Sequence, residues 1–383
     1  MTGQPRFVRG LADVGAADAA RAGGKAAALG ELARAEIPVP RGYVITVAAF
    51  NLVMTALDPS GAIRGALGDV PADDLAAIAH AAADLRARIV AAPLPPEVAA
   101  EITAAYRQLG AQRPDEIAVA VRSSATMEDS PEASFAGLQD SYLAVRGADA
   151  VLDRVRSCWA SLYNDESVSY RRRRGLGEGG LAMGVVVQRM VSPRAAGVMF
   201  TRSPVTGDRS VVAIEGTWGL GSALVAGEVT PDSFTVSKVT GEITGRRVSA
   251  KLRAHSFAPN GHGISAQPMP TALRRSPCLT DDEARALALV GRRVEEHYGV
   301  PQDIEWALLG DSPGCPALHG DPADRIVLLQ SRPETVWAAR ERPPIAAPKP
   351  RASDHVLAWL EKALLWTALL WTARYGRHCS GPH

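Results

Sequence analysis

With 383 residues, 42 basic and 41 acidic side chains and a formal net charge of +1, the chain has no electrostatic footprint for a nucleic-acid partner. Its hydrophobic fraction of 46% and charged fraction of 22% are those of a globular protein, and its length exceeds one hydrophobic core, so two or three subdomains are expected. The scattered Cys158, Cys278, Cys315 and Cys379 form no CxxC pair and indicate neither a zinc site nor a disulfide framework; an N-terminus without an apolar run carries no signal peptide, which points to the cytoplasm.

In chain order, the first third is rich in Ala and Leu. Gly23-Gly24-Lys25 opens a helix that continues through Leu29 and Leu32. Glycines let a backbone approach a ligand, and a helix N-terminus offers free amides and the positive end of a dipole. Lysine adds a mobile charge for a phosphate. An ordinary loop can carry the same tripeptide. Residues 73–90 and 96–109 show helical spacing and are expected as scaffold helices.

From about Ile117 the texture changes to short β-rich runs, IAVAVRSS, GVVVQRMV, AAGVMFT, RSVVAIEG and DSFTVSKVTGEITGRRV, with Gly-containing turns that suggest antiparallel hairpins. Arg122, followed by Ser123 and Ser124 at a strand end, suits a polyphosphate tail, because a guanidinium fork grips phosphate oxygens bidentately. The loop 128–137 can fold over such a tail, and a capped strand-to-helix turn is the alternative. The basic run Arg171 to Arg174 is expected on a solvated loop or helix end. Around Gln188 and Met190, a strand of valines offers apolar faces and an amide for an adenine ring, or plain core.

Thr280 and Glu283 form a capping-box pattern that starts a helix with Leu287, Val290 and Val294 on one face, ended by Gly299 and Pro301. DIEWALL and RIVLLQS then flank a Pro/Gly-rich insert. As a hairpin they place Glu305 opposite Gln330, and side-chain alternation puts Asp303 and Glu305 on one face with Gln330 and Arg332. Two carboxylates and an amide oxygen are hard donors suited to magnesium on nucleotide phosphates. The arginine can stabilise charge on a transferring phosphoryl group. A surface salt bridge is the competing reading. After Trp337 a Pro-rich linker leads to an apolar segment, Val356 to Trp371, interrupted by Glu361 and Lys362; it reads as a packing or partner-facing helix rather than a membrane span.

Taken in order, GGKAAALGEL with IPVPRGYVIT, AVRSSATMEDSPEASFAGLQDSYL, VVVQRMV, AGVMFTRSPVTGD, WGLGSALVAGEVTPDSF, and DIEWALL with QSRPET resemble one known domain. It is the N-terminal nucleotide-binding domain shared by phosphoenolpyruvate synthase, pyruvate phosphate dikinase and rifampicin phosphotransferase. The resemblance implies an α+β ATP-grasp fold, with two lobes clamping the nucleotide and a helical N-terminal part. Its lobes would be residues 1–190 and 191–339, with 340–383 as linker and apolar helix. It implies Mg2+ and ATP as cofactors. Lys25 and Arg122 would bind phosphates, Gly137 and Ser141 would belong to the loop over the nucleotide, and Gln188 and Met190 would lie beside adenine. Asp303, Glu305 and Gln330 would hold magnesium and Arg332 would contact the terminal phosphates, with Lys25, Arg122 and Arg332 as the catalytic set.

Two departures stand out. Ser222 takes the place of a glutamate that usually follows WGLG in this family. The family's complete members also carry a phosphorylatable histidine in a Ser-His-Ala setting, and none of the eight histidines, His262, His378 and His383 included, has that setting. The expected function is therefore transfer of a phosphoryl or pyrophosphoryl group from ATP to a histidine on a separate carrier protein, which passes it to a small-molecule acceptor. This resembles phenylphosphate synthase, where the two parts are different chains. Direct transfer to a small molecule, and a regulatory or degenerate ATP-binding module without turnover, are the alternatives. No membrane partner is expected.

Overall fold

Apolar residues at strand spacing build two antiparallel sheets, each with helices against it. The computed structural model describes residues 6–71, 74–110, 117–126, 129–130, 133–134, 140–175, 177, 180–310 and 321–337. Gly137 and the segment 340–383 lie outside these described residues.

The chain begins with β1 (Val8–Gly10), α1 (Ala19–Ala22), α2 (Gly24–Arg34), β2 (Gly42–Ile45) and α3 (Val47–Leu57). Three helices follow, α4 (Ala62–Asp69), α5 (Leu75–Ala91) and α6 (Pro96–Gly110). Next come β3 (Val119–Ala125), the short β4 (Asp129–Ser130) and β5 (Ala133–Ser134), β6 (Ser141–Val145), α7 (Ala148–Ala160), α8 (Asp165–Arg173) and β7 (Met183–Arg189). The second half contains β8 (Pro193–Phe200), β9 (Val211–Trp218), α9 (Ser222–Val225), β10 (Asp232–Ser237) and β11 (Ile243–Arg247). It ends with β12 (Arg253–Phe257), β13 (Ile264–Pro268), α10 (Asp281–Tyr298), β14 (Gln302–Leu309) and β15 (Ile326–Pro333).

The first sheet has the order β1-β2-β7-β3-β6 and the second β11-β10-β9-β8-β14-β15. In the first sheet β7 is buried on both faces. Val185 and Val187 join a core with α3, α5, α6 and α7, while Val186 packs with Val44, Ala26 and Leu29 of α2 on the other face. This explains why the run of valines shows no alternation. In the second sheet one face is covered by α10, whose Leu287, Val290 and Val294 meet Phe234, Ile304 and Trp306. The helix starts at the expected capping box and ends at Gly299 in the left-handed conformation. Both sheets fall within one compact unit, Met1–Trp337. This is the α+β, two-sheet architecture of an ATP-grasp fold. Among the described residues no helix is long and apolar enough to cross a membrane.

The sheets are tied together at two places that frame the site. The β12–β13 hairpin reaches the edge strand β6, where Gly263 N donates to Ala144 O at 3.3 Å and Arg146 Nε donates to Gly261 O at 2.5 Å. On the other side α2 packs beside β15, and Leu328 N donates to Pro38 O at 2.8 Å. One expectation fails in part. The basic run 171–174 does close a helix, but Arg171 is fully buried, donates to the Leu162 carbonyl at 2.7 Å and lies over the Tyr163 ring. A guanidinium that donates to a carbonyl of a neighbouring turn and covers an aromatic face is a core element, whatever its polarity.

Candidate nucleotide site

The β14–β15 hairpin forms with the expected register, Glu305 opposite Gln330 and Asp303 opposite Arg332. Ile304, Trp306 and Leu308 point into the core, so Asp303 and Glu305 face the other way. Leu329 has no ladder partner, because Trp306 pairs with Leu328; the register shifts by one residue at this point. Arg332 holds Asp303 through Nε at 2.8 Å and Nη2 at 2.5 Å. Burial pushes the Asp303 carboxyl above the usual aspartate range; Arg332 opposes this, and the neighbouring Glu305 and Glu334 carboxylates add to it.

Arg122 comes to this hairpin from the first sheet. It is the one residue of β3 that is not buried on the strand's own sheet. Its Nη2 donates to Glu305 Oε2 at 2.9 Å and to Gln330 Oε1 at 2.6 Å, while Nη1 donates to the Leu329 carbonyl at 2.7 Å. Ser141 sits directly across from Arg122 on β6. The two serines after Arg122 differ from expectation: they lie within the strand and are fully buried rather than leading out of it. Ser124 Oγ accepts from Ala26 N at 3.1 Å, so it caps the helix that carries Lys25. A Cβ on Gly23 would lie 1.8 Å from the Ser124 carbonyl oxygen, so this glycine admits a strand, not a ligand.

A cavity of about 220 Å3 opens beside these groups. Arg122, Ser141, Gln188, Met190 and Glu305 line it from the expected set, and Gly197, Leu220 and Ser222 complete the wall. Gln188 is buried and donates to the Pro40 carbonyl at 3.2 Å; Met190 Sδ accepts from Ala144 N at 2.8 Å. Thus five expected residues share one cavity, Gln330 is tied to it through Arg122, and Asp303 with Arg332 forms the next rung of the hairpin. Lys25 lies at the start of α2 and does not line the cavity. A larger hollow of about 870 Å3 lies elsewhere, beside Arg9, Arg41, Tyr43 and Glu101. It contains none of the expected residues, and Glu101 is already bonded to the amides of Arg6, Phe7 and Val8. Chemistry therefore favours the smaller cavity over the more spacious one.

For magnesium, Asp303, Glu305 and Gln330 supply oxygen donors on a single sheet face. Among the described residues no group of three His, Cys, Asp or Glu can hold an ion alone. The donor set suits a cation that brings water and phosphate oxygens with it, which is how magnesium is usually held.

From Ser222 on the cavity wall a hydrogen-bonded chain runs to His255 and on to Glu228, with distances of 2.9 and 3.1 Å, and sequence reasoning missed it. His255 lies far along the chain on β12, and no local pattern marks it. Asp232, within the matched motif VTPDSF, has a structural part. It is buried against Lys251, and its oxygens accept from the amides of Ser249 and Cys278.

A family model described as pyruvate phosphate dikinase, AMP/ATP-binding domain, matches residues 19–353. A rifampicin phosphotransferase from a Streptomyces species is 45% identical over 333 residues, which cover 87% of this chain and 38% of the relative. Probable phosphoenolpyruvate synthases from Staphylothermus marinus and Methanothermobacter thermautotrophicus are 39% and 40% identical, over 88% and 86% of this chain and 42% and 46% of their own lengths. The chain thus spans roughly two fifths of the curated relatives it matches. A match across most of the residues that build both sheets and the cavity between them means that the chain belongs to the pyruvate phosphate dikinase AMP/ATP-binding domain family, which uses ATP with Mg2+.

Proposed function

We propose that this chain is the nucleotide-binding half of an ATP-dependent phosphotransferase, and that it delivers a phosphoryl or pyrophosphoryl group to a histidine on a separate cytoplasmic carrier protein, which serves a small-molecule acceptor. The observation that carries this reading is the reach of Arg122 from one sheet to Glu305 and Gln330 on the other. Cations and carboxylates that pair across the cleft are the groups that a metal-bound triphosphate would hold, the arginine through phosphate oxygens and the carboxylates through the metal. The phosphates would take Arg122 and Arg332, with Lys25 left out because it does not line the cavity, and the metal would take Asp303, Glu305 and Gln330. The metal's contribution is to neutralise charge on the phosphate oxygens.

In this account the chain's residues hold and orient the phosphates and exclude water, since phosphoryl transfer asks for little covalent chemistry from the protein. Turnover by Arg332→Ala with the carrier supplied should fall by a few hundred-fold, on the order of 3–4 kcal/mol of barrier. Unchanged turnover would defeat the proposal. Transfer to a small acceptor by the pure chain, with no carrier present, would replace it by direct transfer.

A further inference from the structure

We infer that Ser222 reads a ribose hydroxyl of the bound nucleotide, and that His255 and Glu228 set the polarity with which it does so. This rests on the nucleotide reading of the cavity. Ser222 lines that cavity, and its Oγ lies 2.9 Å from His255 Nδ1, while His255 Nε2 lies 3.1 Å from Glu228 Oε2. A carboxylate at Nε2 accepts, so the tautomer that satisfies Glu228 carries its ring proton on Nε2 and presents Nδ1 to Ser222 as an acceptor. The Ser222 hydroxyl therefore spends its one proton on His255. What it turns to the cavity is lone pairs, which select a ligand group that donates.

The relay is held firmly. His255 is 9% exposed, and its carbonyl accepts from Leu220 N at 2.9 Å. Gly219 packs so closely that a Cβ there would lie 2.4 Å from the same oxygen. Register fixes which part of the ligand meets Ser222. Its neighbour Gly221 lies over Ala196 and Gly197, which pair with Ala307 and Trp306 of β14, whereas Glu305 pairs with Val198 and Asp303 with Phe200. At about 3.3 Å per residue, Ser222 stands one or two residues along the strand from Glu305 and three or four from the Asp303–Arg332 pair. A nucleotide with its terminal phosphates at that pair brings its sugar to Ser222. The same offset argues against reading the Ser-His-Glu chain as a nucleophile for the terminal phosphate.

The test is calorimetric titration, with Mg2+ present, of ATP, 2′-deoxy-ATP, 3′-deoxy-ATP and inosine triphosphate into the wild type, Ser222→Ala and His255→Phe. The wild type is expected to bind ATP about three- to tenfold more tightly than one of the two deoxy analogues, the worth of one neutral hydrogen bond. Ser222→Ala should lose that factor for ATP, keep its affinity for the discriminated deoxy analogue, and so lose the preference; His255→Phe leaves the Ser222 lone pairs in place but no longer orients the hydroxyl, so it should narrow the preference without abolishing it. A fold defect alone would weaken all four nucleotides alike. Preference retained in Ser222→Ala overturns the inference, as does loss of preference against inosine triphosphate only. Failure of the wild type to bind any of the four overturns the nucleotide reading itself.

Discussion

Arg122 and Glu305 belong to different sheets, yet the guanidinium of one lies 2.9 Å from the carboxylate of the other. The Arg122 side chain is 11% exposed and that of Glu305 31% exposed, so the contact is shielded on one side and open to the cavity on the other. Arg122→Ala is expected to weaken Mg-ATP binding by about a hundredfold, on the order of 3 kcal/mol. Arg122→Lys should recover only part of this, because a point charge cannot serve Glu305, Gln330 and the Leu329 carbonyl at once. Titration calorimetry on both variants decides it; full recovery by lysine would show that only charge matters.

Gly23 has a φ of +82°, and a Cβ there would sit 1.8 Å from the Ser124 carbonyl oxygen. Gly23→Ala should cost about 2–4 kcal/mol through combined backbone strain and overpacking. Gly61 has a φ of +72° but open space around it, so Gly61→Ala should cost only about 1 kcal/mol. Urea denaturation of the pair separates strain from clash, and equal losses would refute the packing argument.

Glu283 makes the capping box of α10 with Thr280 and also holds Arg194 at 2.6 Å and Arg325 at 3.1 Å. Burial pushes its carboxyl up, but the Thr280 amide and the two arginines outweigh that and hold it below the usual glutamate range. A carboxyl depressed in the folded state contributes stability that is present above its unfolded pKa and is lost as pH falls through the folded one. Glu283→Gln should therefore cost about 2–4 kcal/mol at neutral pH. The gap to the wild type should close on acidification below the ordinary glutamate range. Denaturation midpoints across pH test this, and a gap independent of pH would mean that only the cap matters.

Much of the site was legible in the sequence because side chains alternate over short stretches of strand. Asp303 and Glu305 interrupt an apolar strand at alternate positions, and the same spacing recurs at Gln330 and Arg332. The helix from Thr280 was legible because its cap and stripe are local. Contacts made across long separations left no mark. The fork of Arg122 onto a strand far along the chain, the burial of Arg171, and the relay from Ser222 to His255 all depend on which surfaces meet. The glycine pair before Lys25 was legible as a close approach, but the approaching group proved to be Ser124.

The unpaired Leu329 divides β15 in two. Ile326 and Leu328 obey the core, and Gln330 and Arg332 obey the cleft. Simple alternation from Ile326 would have turned all four toward α10. One supernumerary residue thus reverses the phase of the strand midway and frees a carbonyl for Arg122. Tolerance to substitution should change abruptly there: hydrocarbon size governs what is allowed before it, and donor chemistry governs what is allowed after it.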